Sequence, residues 1–172
     1  MTFPNATTDH SWYDLFAGSL SIERNSLDYK QYPISGRKQF LVAQYVTGTE
    51  KYMPSPITDM GSFDRKVHSW LQMKGEWEQY KTISPYFNLG FMSELVLSSK
   101  NLMNNYTASV LQAPAFTPTP HSQIVFNEAF RANQYVAFGL SPILKFSKLL
   151  HFRLDMYGFA PLYEIKRRSM EQ

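Results

Sequence analysis

The glycines and histidines set the narrowest limits on the chemistry that this chain of 172 residues can perform. No two of its eight glycines lie within eleven positions of each other, so the sequence cannot form a nucleophile elbow, a P-loop or a dinucleotide-binding fingerprint. Its four histidines, at 10, 68, 121 and 151, never show the i, i+4 spacing of a zinc-binding helix. The chain has no cysteine, which excludes thiolate ligands, a cysteine nucleophile and disulfides. We therefore predict no catalytic, cofactor-binding or metal site, and we predict that the chain itself is not an enzyme.

Three glutamates are the remaining candidates for acid–base chemistry. Glu76 and Glu78 are two residues apart and would share one face of a strand, since side chains alternate between the two faces. A hairpin that pairs symmetrically about its turn would place Glu94 opposite Gln72. Because no nucleophile accompanies these carboxylates, the pattern favours a polar lining over catalysis.

Apolar and polar residues alternate with period two along most of the chain, which is typical of strands with one apolar and one polar face. We predict six strands, at Phe16–Glu23, Lys38–Val46, Val67–Glu78, Phe87–Ser98, Val136–Phe146 and Leu150–Tyr157. The predicted lipid-facing residues are Phe87, Leu89, Phe91, Leu95, Phe138, Phe152 and Leu154. The predicted lumen-facing polar residues are Glu76, Glu78, Glu94, Arg153 and Asp155.

The predicted connections alternate between short and long. The short turns are Tyr32–Gly36, Lys81–Pro85 and Ser147–Leu149, and the long links are Gly48–Asp64 and Ser99–Asn133. The second long link has room for a short helix, which we place at Gln123–Ala132. Short turns at one end and long loops at the other are typical of outer-membrane barrels, and the strands match the ~9–11 residues that cross a bilayer at a tilt. The aromatic residues near the short turns suit a membrane interface, and they are Tyr29, Tyr32, Trp77, Tyr80, Tyr86, Phe87, Phe146 and Phe152.

Alternation alone leaves the outer face of the sheet undetermined. In a soluble, lipocalin-like barrel the same apolar residues would line a cavity, so a soluble lipid-binding barrel is an open alternative. Charged residues interleaved on the polar face favour a hydrated lumen, and six strands are fewer than the roughly eight that close a small barrel. The sequence therefore predicts an all-β, antiparallel up-and-down meander that forms part of a larger transmembrane barrel. A net charge of +3 is too small to indicate a nucleic-acid partner, and no apolar run is long enough for a membrane helix.

Two stretches near the start resemble the surface-antigen superfamily of outer-membrane assembly and secretion barrels. They are the run Arg24–Asp28 and the turn Tyr32–Gly36, which in that superfamily end one strand and begin the next on the periplasmic side. Three further stretches resemble the C-terminal barrel of Bacteroidetes-type patatin-like phospholipases: Asn105–Pro120, Phe126–Gln134 and Leu154–Lys166.

This resemblance covers nearly the whole chain and carries functional expectations. It implies that residues 1–172 are a partial outer-membrane barrel domain that anchors a patatin-like lipase domain, with translocation of that domain or of lipid as a second role. The matched order of elements implies that the lipase domain and the last two strands of the barrel belong to the parent protein and lie outside these residues. The expected partners are outer-membrane lipids, those strands and the lipase domain. A parent protein that hydrolyses lipids, with this chain as its non-catalytic part, is the corresponding alternative.

Arg131 is the residue that the resemblance marks as an anchor. In the superfamily an arginine before a glycine and an aromatic residue holds a long loop inside the barrel, and Arg131 has the matching position. This chain has Ala132 and Asn133 where the superfamily has the glycine and the aromatic residue. A guanidinium can bind carboxylates bidentately, and Glu76, Glu78 and Glu94 are available to it as lumen carboxylates.

Overall fold

The computed structural model describes residues 10–53, 64–101, 103, 106–147 and 150–163. Some residues of the long link Gly48–Asp64, of the turn Ser147–Leu149 and of the matched stretches Asn105–Pro120 and Leu154–Lys166 lie outside these ranges. Within these ranges seven strands form one sheet: β1 (His10–Asn25), β2 (Gly36–Met53), β3 (Asp64–Ser84), β4 (Phe87–Ser98), β5 (Gln134–Lys145), β6 (His151–Arg153) and β7 (Met156–Tyr163). One α-helix, α1 (Tyr106–Leu111), and a 3₁₀ helix (Glu128–Phe130) lie between β4 and β5. Neither helix in the described ranges has the length and hydropathy needed to span a membrane.

The predicted all-β antiparallel meander is confirmed. Each of the strands β1 to β5 pairs with the next strand in sequence, and β6 and β7 both pair with β5. Within the described ranges the sheet does not close, because β1 forms one edge and β6 with β7 forms the other. The strand register places the even-numbered residues of β2, β3 and β4 on one face of the sheet, together with the odd-numbered residues of β1 and β5. The other residues of these strands lie on the opposite face.

The sixth predicted strand is divided in the structure, because β6 and β7 are two parts of one strand position. Ile143 pairs with Arg153 and Leu140 pairs with Met156, so the register is continuous across the gap. The gap lies beside Pro142, whose carbonyl accepts a hydrogen bond from the Leu154 amide at 3.1 Å. Proline has no amide proton to return to the ladder, so the regular pairing is interrupted at this point.

The register predicted for the β3–β4 hairpin is wrong. Glu94 pairs with Glu76, and Gln72 pairs with Ser98. The reason is the turn: β3 continues to Ser84, so a tight turn at residues 85–86 replaces the predicted Lys81–Pro85 turn. Because the turn lies further along the chain, Glu94 pairs four positions further along β3 than predicted, with Glu76 instead of Gln72.

Two further expectations about the connections are wrong. The link between β1 and β2 covers residues 26–35, so it is longer than the tight turn expected at Tyr32–Gly36. The α-helix of the long link lies at Tyr106–Leu111, and Gln123–Ala132 contains only the 3₁₀ turn. A helix of six residues is too short to show a helical period in the sequence, which explains why the pattern did not reveal it.

One glycine on the polar face makes room for an aromatic ring, and this predicts a destabilising substitution. A Cβ added at Gly90 would lie 2.3 Å from Cε1 of Tyr80, the residue paired with it on β3. We expect Gly90→Ala to lower the free energy of unfolding by about 1–3 kcal/mol, because the ring has to move from its packed position. Gly75→Ala is the matched control, since its Cβ would meet no atom nearer than 3.9 Å. Urea titration of both variants checks this, and equal stabilities would contradict it.

Candidate functional site

The two faces of the sheet differ sharply in chemistry and in exposure. One face is apolar and open, with side chains such as Leu20, Phe138 and Phe152 exposed by 73%, 56% and 57%. All seven predicted lipid-facing residues lie on this apolar face: Phe87, Leu89, Phe91, Leu95, Phe138, Phe152 and Leu154. All five predicted lumen-facing residues lie on the opposite, polar face: Glu76, Glu78, Glu94, Arg153 and Asp155.

A chain of charges crosses the polar face from β2 to β5. Nζ of Lys38 lies 2.9 Å from one oxygen of Glu76, and Nζ of Lys74 lies 2.8 Å from the other. Lys74 also reaches Glu94 on β4 at 3.3 Å, and the hydroxyl of Tyr135 on β5 donates to the other oxygen of Glu94. Glu94 is only 3% exposed, so its two partners replace the water that it has lost. The register between β3 and β4 produces this network, because it places Glu76 and Glu94 side by side.

Arg153 forms a second network nearer the short turns. Its Nε donates to Asp155 at 2.7 Å, and one Nη donates to the hydroxyl of Tyr80 at 2.9 Å. The other Nη donates to the carbonyl of Pro33 at 2.8 Å, although 120 positions separate the two residues in sequence. Tyr80 in turn donates to Glu78 at 2.7 Å. The last strand position is therefore tied to β3 and to the β1–β2 link across the polar face.

The long link between β4 and β5 folds back over the polar face instead of extending away from it. Met103 packs against Trp70 and Val46, which are otherwise open inward positions of β3 and β2. Further along, Phe116 packs in a second cluster with Val96 and Tyr135. These two apolar clusters explain why Trp70 interrupts the polar alternation of β3: its ring lies under the link.

Arg131 holds this link together, but through other partners than those expected. Its Nη1 donates to the carbonyls of Leu111 and Ala113, each at 3.0 Å, and the guanidinium stacks 4.7 Å from the Phe126 ring. In the described ranges Arg131 forms no ion pair with a glutamate. The expected carboxylate contact is therefore wrong, because the guanidinium satisfies the open carbonyls at the end of α1 within the link itself.

The polar face and its two inward-folded links enclose a cavity of about 340 Å³. One side is lined by Lys38, Lys74, Glu76, Glu78, Glu94 and Arg153, and the other by residues 30–33 and 117–120. The charges that line it are mostly paired with one another, as described above. The arrangement suits a hydrated, charge-balanced interior better than a site that holds one charged ligand.

The sequence interpretation missed several partners in these networks. Tyr80 and Tyr32 were grouped with interfacial aromatics, yet the Arg153 guanidinium lies over both rings, at 5.2 and 5.6 Å, on the polar face. Tyr135 received no role, although the parity of β5 places it opposite Val136 and Phe138, on the side of Glu94. Strand parity was the available signal for Tyr80 and Tyr135, whereas Tyr32 lies in the β1–β2 link, where parity does not apply.

Lys100 is a buried amine just beyond the end of β4 and allows a pH prediction. It is 8% exposed, lies 5.1 Å from the Trp70 ring centroid, and has Gln112 as a weak partner at 3.5 Å. Burial lowers the pKa of Lys100 from its usual 10.5 to about 8. Between pH 8 and 10.5 the unfolded chain therefore binds more protons at this residue than the folded chain does.

We expect the contribution of Lys100 to stability to increase by about 2 kcal/mol from pH 8 to pH 10 and to fall again as the pH is lowered through this window. Urea midpoints of the wild type and of Lys100→Met, compared at each pH, isolate this contribution because other titrating groups cancel. A difference between the two proteins that stays constant over the window would refute it.

Comparison with known proteins adds no relative. No protein-family model matches the chain, and neither the curated proteins nor the solved structures contain a match.

Proposed function

We propose that this chain is a non-catalytic part of an outer-membrane β-barrel, located in the bacterial outer membrane. The observation that carries the proposal is the division of one sheet into an exposed apolar face and a charge-paired face covered by its own links. Leu95 is 44% exposed, whereas Glu94, next to it in sequence, is 3% exposed. Water is a poor solvent for a continuous apolar face, and acyl chains are a good one.

Strand lengths and aromatic positions support the same proposal. β4 and β5 have 12 residues each, close to the ~9–11 that cross the hydrocarbon at a tilt. β1, β2 and β3 are longer, at 16, 18 and 21 residues, and so would project beyond the bilayer. The exposed rings of Trp77, Tyr86 and Phe146 lie towards the end that carries the short turns, where amphipathic rings favour the interface.

The two edges of the sheet indicate which parts of the parent protein would contact this chain. Among the described residues the outer edges of β1 and β7 have no partner strand, and their backbone groups need hydrogen bonds within a membrane. In this proposal further strands of the parent barrel pair with both edges. The parent protein includes a patatin-like lipase domain that the barrel anchors, with translocation of that domain or of lipid as the second role; lipid hydrolysis belongs to that domain.

The soluble lipid-binding alternative requires the apolar residues to line a cavity. The cavity of about 340 Å³ is lined by charged residues, and Leu95 and Phe152 lie on the face away from it. The membrane proposal therefore accounts better for the exposure of these side chains.

Flotation tests the proposal directly. The parent protein, with the strands that pair with both edges, is refolded with phospholipid vesicles, washed with urea and centrifuged through a density gradient. We expect it to float with the vesicles after the wash. A chain that stays in the dense fraction without detergent, monomeric and carrying fatty acid, would contradict the membrane proposal and favour the soluble barrel. The lipase part has a separate test: the parent gene should encode a serine elbow upstream and two strands downstream.

A further inference from the structure

The apolar face ends in a group of basic and amide side chains at the side of the short turns. Arg24 ends the row of Leu20 and Ile22 on β1, and Arg37 and Gln79 pair with each other on β2 and β3. Strand parity places all of them on the apolar face. Arg24 pairs with Gln39, so Arg24 and Arg37 are diagonal neighbours on adjacent strands.

These two arginines have no anion. Within the described ranges neither forms an ion pair, although Lys38, Lys74 and Arg153 on the other face all do. Arg24, Arg37 and Gln79 instead line a small open cavity of about 240 Å³. Two arginines that line one small cavity without a carboxylate suit a phosphate group, whose oxygens each guanidinium can bind through two hydrogen bonds.

We propose that Arg24, Arg37 and Gln79 form a binding site for the phosphate of an anionic phospholipid headgroup. The inference rests on the proposed membrane location. The position decides the source of the phosphate: the acyl chains of the same lipid would lie along Leu20 and Ile22, which are 73% and 67% exposed. A headgroup without its own ammonium, such as phosphatidylglycerol, fits two unpaired cations better than phosphatidylcholine does.

Trp77 provides a probe for this site. It lies two residues before Gln79 on the same face of β3 and is 40% exposed. The other two tryptophans are replaced by Trp12→Phe and Trp70→Phe, which leaves one fluorophore in the full chain. Vesicles then contain phosphatidylglycerol and phosphatidylcholine, with brominated acyl chains on one lipid or on the other. The ratio of the two quenching levels measures which lipid is enriched beside Trp77.

We expect brominated phosphatidylglycerol to quench Trp77 more strongly than its share of the vesicle predicts. Arg24→Gln with Arg37→Gln should remove this preference, since each basic residue near an anionic surface changes binding about five-fold. Lys51→Gln with Arg65→Gln is the matched control: these two residues pair on the same face, and Arg65 is about 40 Å from Trp77 at 3.3 Å per residue. The control should keep the preference.

The other outcomes separate two failures. Quenching without a preference, or a preference that survives the loss of both arginines, overturns the headgroup site but leaves the membrane proposal intact. Loss of the preference on addition of millimolar inorganic phosphate assigns the site to free phosphate and overturns the lipid source. No quenching of Trp77 by either brominated lipid contradicts the membrane location itself.

Discussion

Phe91→Lys is expected to lower the free energy of unfolding in lipid vesicles by about 1–2 kcal/mol, since a basic side chain costs ~2–4 kcal/mol at the bilayer midplane and ~0–1 kcal/mol near the interface, and Phe91 lies between the two. Phe91 lies near the middle of β4 on the apolar face and is 40% exposed, with its ring 5.5 Å from Trp77. Phe91 pairs with Gln79 on β3 and with Leu140 on β5, so the ammonium group would enter acyl chains beside an amide but with no carboxylate opposite it. Leu154→Arg should show the same penalty if it lies at a similar depth. Urea titration in vesicles measures both.

Met92→Lys is the control for this prediction, because Met92 is the next residue on the same strand and lines the polar cavity. It pairs with Glu78, so a lysine there gains a carboxylate neighbour and access to water. Its penalty should be much smaller than that of Phe91→Lys. Similar penalties at positions 91 and 92 would mean that the two faces do not differ in solvent.

Lys74→Met is expected to be the most destabilising change on the polar face, at about 3–5 kcal/mol. Lys74 is the residue that both Glu76 and Glu94 share, at 2.8 and 3.3 Å. Without it, Glu94 keeps only the Tyr135 hydroxyl in a position that is 3% exposed. A buried carboxylate that loses its counter-ion costs more than a surface ion pair contributes.

Two variants test this explanation. Lys38→Met removes the other lysine of the network but leaves Glu76 paired with Lys74, so its effect should be about 1 kcal/mol. Lys74→Met combined with Glu94→Gln should recover much of the lost stability, since the neutral amide no longer needs a counter-ion. If the double variant is no more stable than Lys74→Met alone, the network does not act through charge compensation.

The strand pattern predicted more of this molecule than any single motif did. Period-two alternation was enough to separate Leu95 from Glu94 and Phe152 from Arg153, because a strand allows only two side-chain directions. The order of strands followed from the short connections, since sequential antiparallel strands usually pair.

Features that depend on tertiary contacts could not be predicted from the sequence. The turn at residues 85–86 shifted Glu94 from Gln72 to Glu76, a difference that the polar alternation of β3 could not distinguish. Pro142 divided the last strand position because it has no amide proton to return to the ladder, although its carbonyl accepts from the Leu154 amide. The carbonyls of Leu111 and Ala113 are placed within reach of Arg131 only when α1 has formed. No pattern of residue types could therefore identify them as its partners in advance.

A spin-label scan of β4 tests the central claim most directly, and the absence of cysteine in the chain makes it practicable. Each residue from Phe87 to Ser98 is replaced singly by cysteine, labelled, and measured in vesicles for collision with oxygen, which concentrates among acyl chains, and with a water-soluble nickel chelate. The account predicts strong oxygen collision at all odd positions, including the polar Ser93, and weak oxygen collision at the even positions. Odd positions that meet the nickel chelate instead, or that neither reagent reaches, would contradict it.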